Sequence, residues 1–334
     1  MASVLDQQPC NVQVHVREGR GEALPWEGAP VLGGADYTWI HLQRGHPRAR
    51  AWLEEAGLDH LGQEVLLAHE TRPRWQRAGA DLLVVLRGVN LNPGAEPEDM
   101  VSLRMWMQPR RVVTLQGRPL LAVGDMLDLL ADGRGPRDSG AFLAEMTRLI
   151  LDRLGPVMDE LGDEGDRLEE EVLDRPKPDL RRRVGQHRRQ CIQLRRHLAP
   201  MREVVTALSL EAGPLLDEDR RSHLHEASDR LIRVVEDLDA LRERAVVTHD
   251  ELSAHLSDQI SSTMFRLSLI AAVFLPLSLI TSLLGINVSG IPGAGRPQAF
   301  LDVCLILLAI GLLESWVLYR RYWRRVRTGS GDGA

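Results

Sequence analysis

The sequence is short of lysine and of cysteine, and both shortages exclude classes of protein. Lys177 is the only lysine among 41 basic residues in a chain of 334. This lysine follows a proline and not a glycine, so the chain has no glycine-rich phosphate-binding loop. With a single lysine in the chain, an enzyme that forms a lysine Schiff base is also hard to build. Three widely separated cysteines, at positions 10, 191 and 304, exclude a disulfide-stapled secreted scaffold. Since nucleophile-elbow and metalloprotease motifs are also missing, we expect neither an enzyme nor a cofactor.

The net charge of −6 is unevenly distributed along the chain. From residue 265 onward, seven arginines and three carboxylates give a net charge of +4, so residues 1–264 carry −10. Divalent cations suit such an acidic body, whereas anions and nucleic acids do not.

Two long apolar runs lie near the C-terminus. Residues 265–284 contain one charge, Arg266 at the edge, and as a helix they would extend about 30 Å, the hydrocarbon thickness of a bilayer. The second run, 299–319, contains only Asp302 and Glu314. Two such runs are hard to bury in a soluble chain of this size, so we predict two transmembrane helices. Glu314 and Arg266 would lie at similar depths, which favours an ion pair between them.

The charges around these runs predict their orientation. Five arginines fall in the tail 320–334, whereas the loop 285–298 has one charge. The positive-inside rule places the tail and the acidic body in the cytoplasm and the loop outside. The first apolar run of the chain is broken by Asp6 and Pro9, so we expect no signal peptide. The sequence predicts a multi-pass inner (plasma) membrane protein with both termini cytoplasmic.

The pattern of residues 1–135 predicts a cytoplasmic α+β domain. Short runs rich in Val, Ile, Leu and Trp, bounded by Gly, Pro or Asn, are typical of strands. The predicted strands are 11–17, 37–42, 82–87, 101–107 and 111–116, and the predicted helices are 47–56 and 119–131.

Residues 136–264 predict a cytoplasmic helical stalk, with helices at about 138–174, 178–211 and 216–284. Neither proline nor glycine occurs from Leu215 to Leu275, so the last helix can continue unbroken into the first membrane span. Its 69 residues would extend about 100 Å, and a helix of that length needs partners. The acidic run 159–174 is interpreted as a solvated face, with ion binding as the alternative.

One face of this last helix carries mostly small and polar residues. Positions at the heptad spacing of about 3.5 residues trace the face. They are Asp250, Ala254, Ser257, Ser261, Met264, Ser268, Ala271, Leu275, Ser278, Ser282 and Gly285. We call these eleven residues the stripe.

Two interpretations of the stripe compete. Small residues are enriched where membrane helices pack closely, but small polar side chains also line water-filled pores. Asp250 favours the pore, because a ring of aspartates at a pore mouth concentrates cations. Two spans of one chain cannot enclose a conduit, so a pore requires a cyclic homo-oligomer.

The end of the first span resembles a known family. The sequence Gly285-Ile286-Asn287 follows the span, and Gly-Ile-Pro-Gly occupies 290–293. This is similar to the CorA superfamily of divalent-cation transporters, whose signature is Gly-Met-Asn, and the Gly-Ile-Asn form resembles its zinc-associated ZntB branch. The segments 70–74 (ETRPR) and 86–93 (LRGVNLNP) also look like that branch.

The resemblance implies a funnel-shaped homopentamer in the bilayer, with the last stalk helix forming the funnel wall and pore. Gly285, Ile286 and Asn287 would then form the outer mouth, where five amides accept a hydrated cation; stripping water from a hard cation is costly. Five residues would fall at pore-lining positions of the family, in agreement with the pore interpretation: Ser278, Leu275, Met264 and Asp250 of the stripe, and Leu267 one residue off the stripe. The loop carries Arg296 and no carboxylate, so cation attraction there would rest on Asn287 and backbone carbonyls.

Two helical groupings contain residue types that bind metals. His187 and Cys191 are four residues apart, and Glu251, His255 and Asp258 share a face near the membrane entrance. Two ligands do not make a tetrahedral zinc site, and charge pairing at these spacings is common on helices, so a structural role is favoured for both.

The sequence as a whole predicts zinc transport through a pentameric pore, with protons as a further candidate ion. A CorA-type magnesium or cobalt channel is one alternative. A membrane-anchored coiled-coil scaffold or sensor without a conduit is another.

Overall fold

The computed structural model describes residues 11–24, 35–47, 49–69, 71–174, 179–211, 213–286 and 297–328. The chain divides into two units, Met1–Asp250 and Glu251–Ala334.

The first unit contains a seven-stranded sheet in the order β2-β1-β3-β7-β6-β5-β4. Neighbouring strands are antiparallel except β3 and β7, which are parallel. The strands are β1 (Asn11–Arg17), β2 (Arg20–Leu24), β3 (Tyr37–Gln43), β4 (Arg74–Ala78), β5 (Asp81–Gly88), β6 (Val101–Gln108) and β7 (Arg111–Gln116).

Helices cover both faces of this sheet. The helices of the chain are α1 (Ala49–Glu55), α2 (His60–Leu67), α3 (Leu121–Ala131), α4 (Ser139–Asp174), α5 (Leu180–Leu210), α6 (Glu218–Leu284) and α7 (Ala299–Thr328). The end of α6 and all of α7 belong to the second unit and not to the layers around the sheet. Side chains alternate between the faces of a strand. Leu103 and Met105 therefore join the main core with α3, α4, α5 and the first part of α6, whereas Trp106 joins a smaller core with α1 and α2.

The predicted elements are largely confirmed. All five predicted strands form, with ends that differ by at most one residue, and the three long helices begin and end within two residues of their predicted bounds. Two strands and one helix were missed: β2, β4 and α2. β2 and β4 are the two edges of the sheet, where one side of a strand meets solvent, and their sequences RGEAL and RWQRA are accordingly too polar to resemble a buried strand.

The acidic run 159–174 has mostly exposed carboxylates, as the interpretation as a solvated face predicts, and four of them also form ion pairs. Its side chains on α4 contact one arginine of α5 and one of α6. Arg183 pairs with Glu164 at 3.0 Å and Glu171 at 2.8 Å, and Arg244 pairs with Asp166 at 2.6 Å and Glu169 at 2.7 Å. Because these pairs are partly exposed, solvent weakens each of them, and they connect the three long helices without adding much stability.

Aromatic packing joins the first turn of α4 to the sheet. The fully buried Phe142 ring lies 5.1 Å from the Trp39 ring and 6.3 Å from the Tyr37 ring, measured between centroids. Asp138 caps the helix by accepting a hydrogen bond from the Ala141 N–H at 2.8 Å.

We expect Phe142→Ala to destabilise the protein by about 3–5 kcal/mol, because it leaves a cavity between α4 and β3. That loss corresponds to a fall in melting temperature of roughly 10 °C for a domain of this size. Leu173→Ala, on the same helix at 70% exposure, is the matched control and should leave melting nearly unchanged. Equal melting temperatures for the two variants in thermal unfolding of the full chain would contradict this assignment.

Candidate ion pathway

Helix α6 presents the whole stripe on one continuous helix. It runs from Glu218 to Leu284 without interruption, and Pro276 is accommodated inside it. Glu218 and Asp219 in its first turn favour its start through the helix dipole. At its end, the Gly285 N–H donates to the Thr281 and Ser282 carbonyls at 3.0 and 3.2 Å.

In the second unit, α6 and α7 pack along one narrow face each. On α6 the half-buried residues are Leu269, Val273, Pro276, Leu277 and Ile280; on α7 they are Val303, Leu307, Ile310, Gly311 and Glu314. The remaining positions of 265–284 and 300–317 are exposed. A Cβ placed on Gly311 would lie 3.6 Å from Leu277 Cδ1, so the helices touch there.

Sequence reasoning missed this contact between the spans. Its available signal was Gly311, the only glycine in 299–328. Small residues let membrane helices approach closely, so this glycine marks the crossing.

The stripe lies on the opposite side of α6. At about 100° per residue, the centre of the stripe lies roughly 200° around α6 in one direction, or about 160° in the other, from the face that packs against α7. All eleven stripe residues are exposed, as is Leu267, and the bulky members Met264 and Leu275 are 64% and 68% exposed. The second span therefore leaves the stripe uncovered.

A single chain also leaves the apolar flanks of both spans exposed. Each helix contains an 18-residue window that is long and apolar enough to cross a membrane, and no residue of either window is buried. The large exposed side chains include Ile270, Phe274, Leu279, Phe300, Leu308 and Leu312. This surface fits a bilayer and additional copies of the chain, since soluble monomers rarely expose apolar patches of this extent.

The predicted outer mouth is described only in part. Gly285 and Ile286 directly follow α6 and are exposed. Asn287 lies outside the described residues, as do Glu70 and residues 290–293.

The predicted ion pair between Arg266 and Glu314 does not form. Arg266 is exposed, whereas Glu314 belongs to the half-buried face of α7, and its Oε2 has no hydrogen-bond partner among the described residues. At about 100° per residue, Arg266 falls on the α6 face that meets α7, so rotation does not separate the two side chains. The reason is the shift of the helices along each other: Gly311 meets Leu277, so Glu314, one turn further along α7, lies nearer to the turn of α6 before Leu277 than to Arg266.

The two groups of candidate metal ligands differ in burial. His187 and Cys191 meet on one face of α5, with Nε2 and Sγ 3.9 Å apart, and both are buried. Burial raises the pKa of Cys191 to about 11 and lowers the pKa of His187. Glu251, His255 and Asp258 are all exposed. Within the described part of the chain, no three His, Cys, Asp or Glu side chains come together in a group that could hold a metal ion.

Comparison with known proteins shows that this chain is similar to transporters. A family model described as CorA-like Mg2+ transporter protein matches residues 34–320. The divalent cation transporter CmaX of Pseudomonas aeruginosa is 41% identical over 289 residues, covering 85% of this chain and 87% of CmaX. The zinc transport protein ZntB of Pectobacterium carotovorum is 33% identical over 313 residues, covering 93% and 95%. The structure of full-length CmaX superposes with a TM-score of 0.81 at 37% identity, covering 94% of this chain and 98% of that one.

We expect Cys191→Ala to leave zinc binding by the full-length protein unchanged in equilibrium dialysis. Zinc binds the thiolate, and burial disfavours that form of Cys191. The control is Cys304→Ala, which removes an exposed thiol. Loss of bound zinc in the Cys191 variant alone would show that α5 holds a metal site.

Proposed function

This chain belongs to the family of CorA-like Mg2+ transporter proteins, and we propose that within that family it carries zinc ions across the inner membrane through the central pore of a homopentamer. Its relatives are transporters, and transport requires no covalent chemistry from the protein.

The exposed stripe is the observation that carries this proposal. A helix pair buried in lipid on all sides gains nothing from Ser268, Ser278 and Ser282 on the face of the span turned away from its partner, because unpaired hydroxyls are costly in hydrocarbon. Around a closed ring of α6 helices, the same hydroxyls meet water. Contact with α7 on the opposite face then leaves α7 toward the lipid, where its apolar side chains belong.

The pore chemistry follows from the residues along the stripe. Serine hydroxyls at 257, 261, 268, 278 and 282 are spread over about 40 Å of helix, and they can hydrogen-bond to the water around a hydrated cation. Met264 and Leu275 would form apolar constrictions, of the kind that gate a pore by excluding water. Asn287 amides at the outer mouth and Asp250 carboxylates at the inner end would bracket the conduit.

Zinc is the proposed cargo because ZntB proteins match nearly the whole chain and share its Gly-Ile-Asn sequence by resemblance. A magnesium or cobalt channel is the second candidate, and the description of the matching family favours it. Glu314, Asp250 and His255 are the titratable groups available if protons accompany the metal. The arginines of the tail place both termini in the cytoplasm.

We expect leucine at positions 278 and 282 to abolish metal flux in proteoliposomes, since two rings of apolar side chains would dehydrate the pore. The matched control is Ala309→Leu. Ala309 is exposed on the face of α7 turned away from α6, so this change should leave flux close to that of the wild type. Wild-type flux in the Ser278→Leu/Ser282→Leu variant would show that the stripe does not line the ion pathway. Absence of flux in the wild type itself would favour the scaffold alternative.

We expect Asn287→Ala to reduce zinc flux at least tenfold while the oligomer mass in detergent stays that of a pentamer. Removing the amides takes away the polar groups that accept the hydrated ion. Gln298→Ala, at the other end of the same loop, is the control. Unchanged flux in the Asn287 variant would disprove the assigned mouth, and a dimer or trimer mass would disprove the pore.

Competition among zinc, magnesium and cobalt in the same vesicles decides the cargo. We expect excess magnesium to leave zinc flux largely intact and an imposed pH gradient to change its rate. Suppression of zinc flux by equimolar magnesium would assign the protein to the magnesium and cobalt channels instead.

A further inference from the structure

The first unit contains a cavity of about 770 Å³ whose wall is strongly basic. Six arginines line it: Arg44, Arg72, Arg87, Arg104, Arg118 and Arg196. Asp99 is the one acidic residue among the described lining residues, and His69, Thr71, Ser102 and His197 add further polar groups. Six cationic side chains around one cavity are unexpected in a body whose net charge is −10.

The sheet topology brings these arginines together from distant parts of the sequence. Arg87 and Arg104 lie on the adjacent central strands β5 and β6. Arg44 directly follows β3, and Arg118 comes two residues after β7; these two strands run parallel, so their ends lie side by side. Arg196 reaches the cavity from α5.

Backbone carbonyls hold three of the guanidinium groups in place. Arg44 Nη1 donates to the Ala68 and His69 carbonyls, both at 2.9 Å, and Arg104 Nη2 donates to the Ala68 carbonyl at 2.8 Å. Arg87 donates to the Thr71 carbonyl at 2.6 Å and to the Met100 carbonyl at 3.0 Å. These bonds orient the groups without neutralising their charge.

Arg104 lacks the partners that a buried cation requires. It is 1% exposed, and its Nε and Nη1 are buried without a hydrogen-bond partner among the described residues. Its pKa is lowered to about 10, first by burial and then by the charges of Arg44, Arg87 and Arg74. A buried guanidinium that faces other guanidinium groups is costly until an anion pairs with it.

In the described part of the chain, no ion pair involves four of the other arginines in the cavity wall: Arg44, Arg72, Arg118 and Arg196. Burial, followed by Arg87 and Arg196, lowers the pKa of His197 to about 4. The cavity wall is therefore incomplete on its own and is complementary to negative charge.

We propose that this cavity binds a small molecule that carries two or more phosphoryl groups. The planar fork of arginine matches the oxygens of phosphate in pairs, and six such forks exceed what one phosphate can occupy. The volume lies within the range of small-molecule sites, about 300–1,000 Å³. The segments 70–74 and 86–93, which no step of ion conduction uses, both contribute to this wall through Thr71, Arg72 and Arg87.

The test is titration calorimetry on the full-length protein in detergent, with inorganic triphosphate as the probe in metal-free buffer that contains a chelator. The test variant is Arg72→Gln/Arg118→Gln/Arg196→Gln, because these three side chains are exposed and their replacement leaves the buried core unchanged. The control is Arg50→Gln/Arg181→Gln/Arg188→Gln, which removes the same charge from exposed positions outside the cavity.

We expect the wild type and the control to bind triphosphate alike and to melt at a higher temperature in its presence. Each lost charge-assisted contact should weaken binding about tenfold, so the test variant should lose detectable binding and the thermal shift. Equal binding by all three proteins, or equal weakening in both variants, would overturn the proposal. Citrate binding as tight as that of triphosphate would overturn the phosphoryl assignment. Binding is measured without ion flux, so the result is independent of the proposed transport.

Discussion

An apolar surface that one chain cannot cover is the constraint on which the rest of this structure depends. Neither C-terminal helix buries any residue of its membrane-length window, and their mutual contact uses only a narrow, half-buried face around Leu277 and Gly311. In water such a surface would drive aggregation. A bilayer satisfies its apolar part, but the serines of the stripe on the far side of α6 still require polar surroundings. A ring of copies around water satisfies both demands at once.

Charged residues are grouped locally in the first unit, in one acidic run and around one basic cavity. The acidic run of α4 meets Arg183 and Arg244 across the helical stalk, so much of the negative charge in the body is already paired. Around Arg104 the balance is reversed, and several cations face one cavity with little to neutralise them. The net charge of −10 for residues 1–264 therefore describes neither the paired acidic run nor the basic cavity. A local surplus of either sign, held by a rigid sheet or helix, is what selects a ligand.

Sequence patterns predicted the strands whose two faces are buried, such as β5 and β6, because a short continuous apolar run between turn residues is typical of a strand covered on both sides. They missed the edge strands β2 and β4, where polar residues are tolerated. They also placed Glu314 opposite Arg266 by depth alone. Counting residues gives the position of a side chain along its own helix, but which side chains meet depends on how the two helices are shifted against each other, and here the packing of Leu277 against Gly311 sets that shift.

The sequence by itself determined the lengths of the three long helices, the two candidate spans and the presence of the stripe. These are properties of one element at a time, set by local spacing and by the lack of helix breakers between Leu215 and Leu275. The tertiary structure alone decided that α7 packs opposite the stripe, and that arginines from position 44 to position 196 share one cavity. Both results depend on contacts between elements far apart in the chain, where strand order and helix rotation determine which side chains meet.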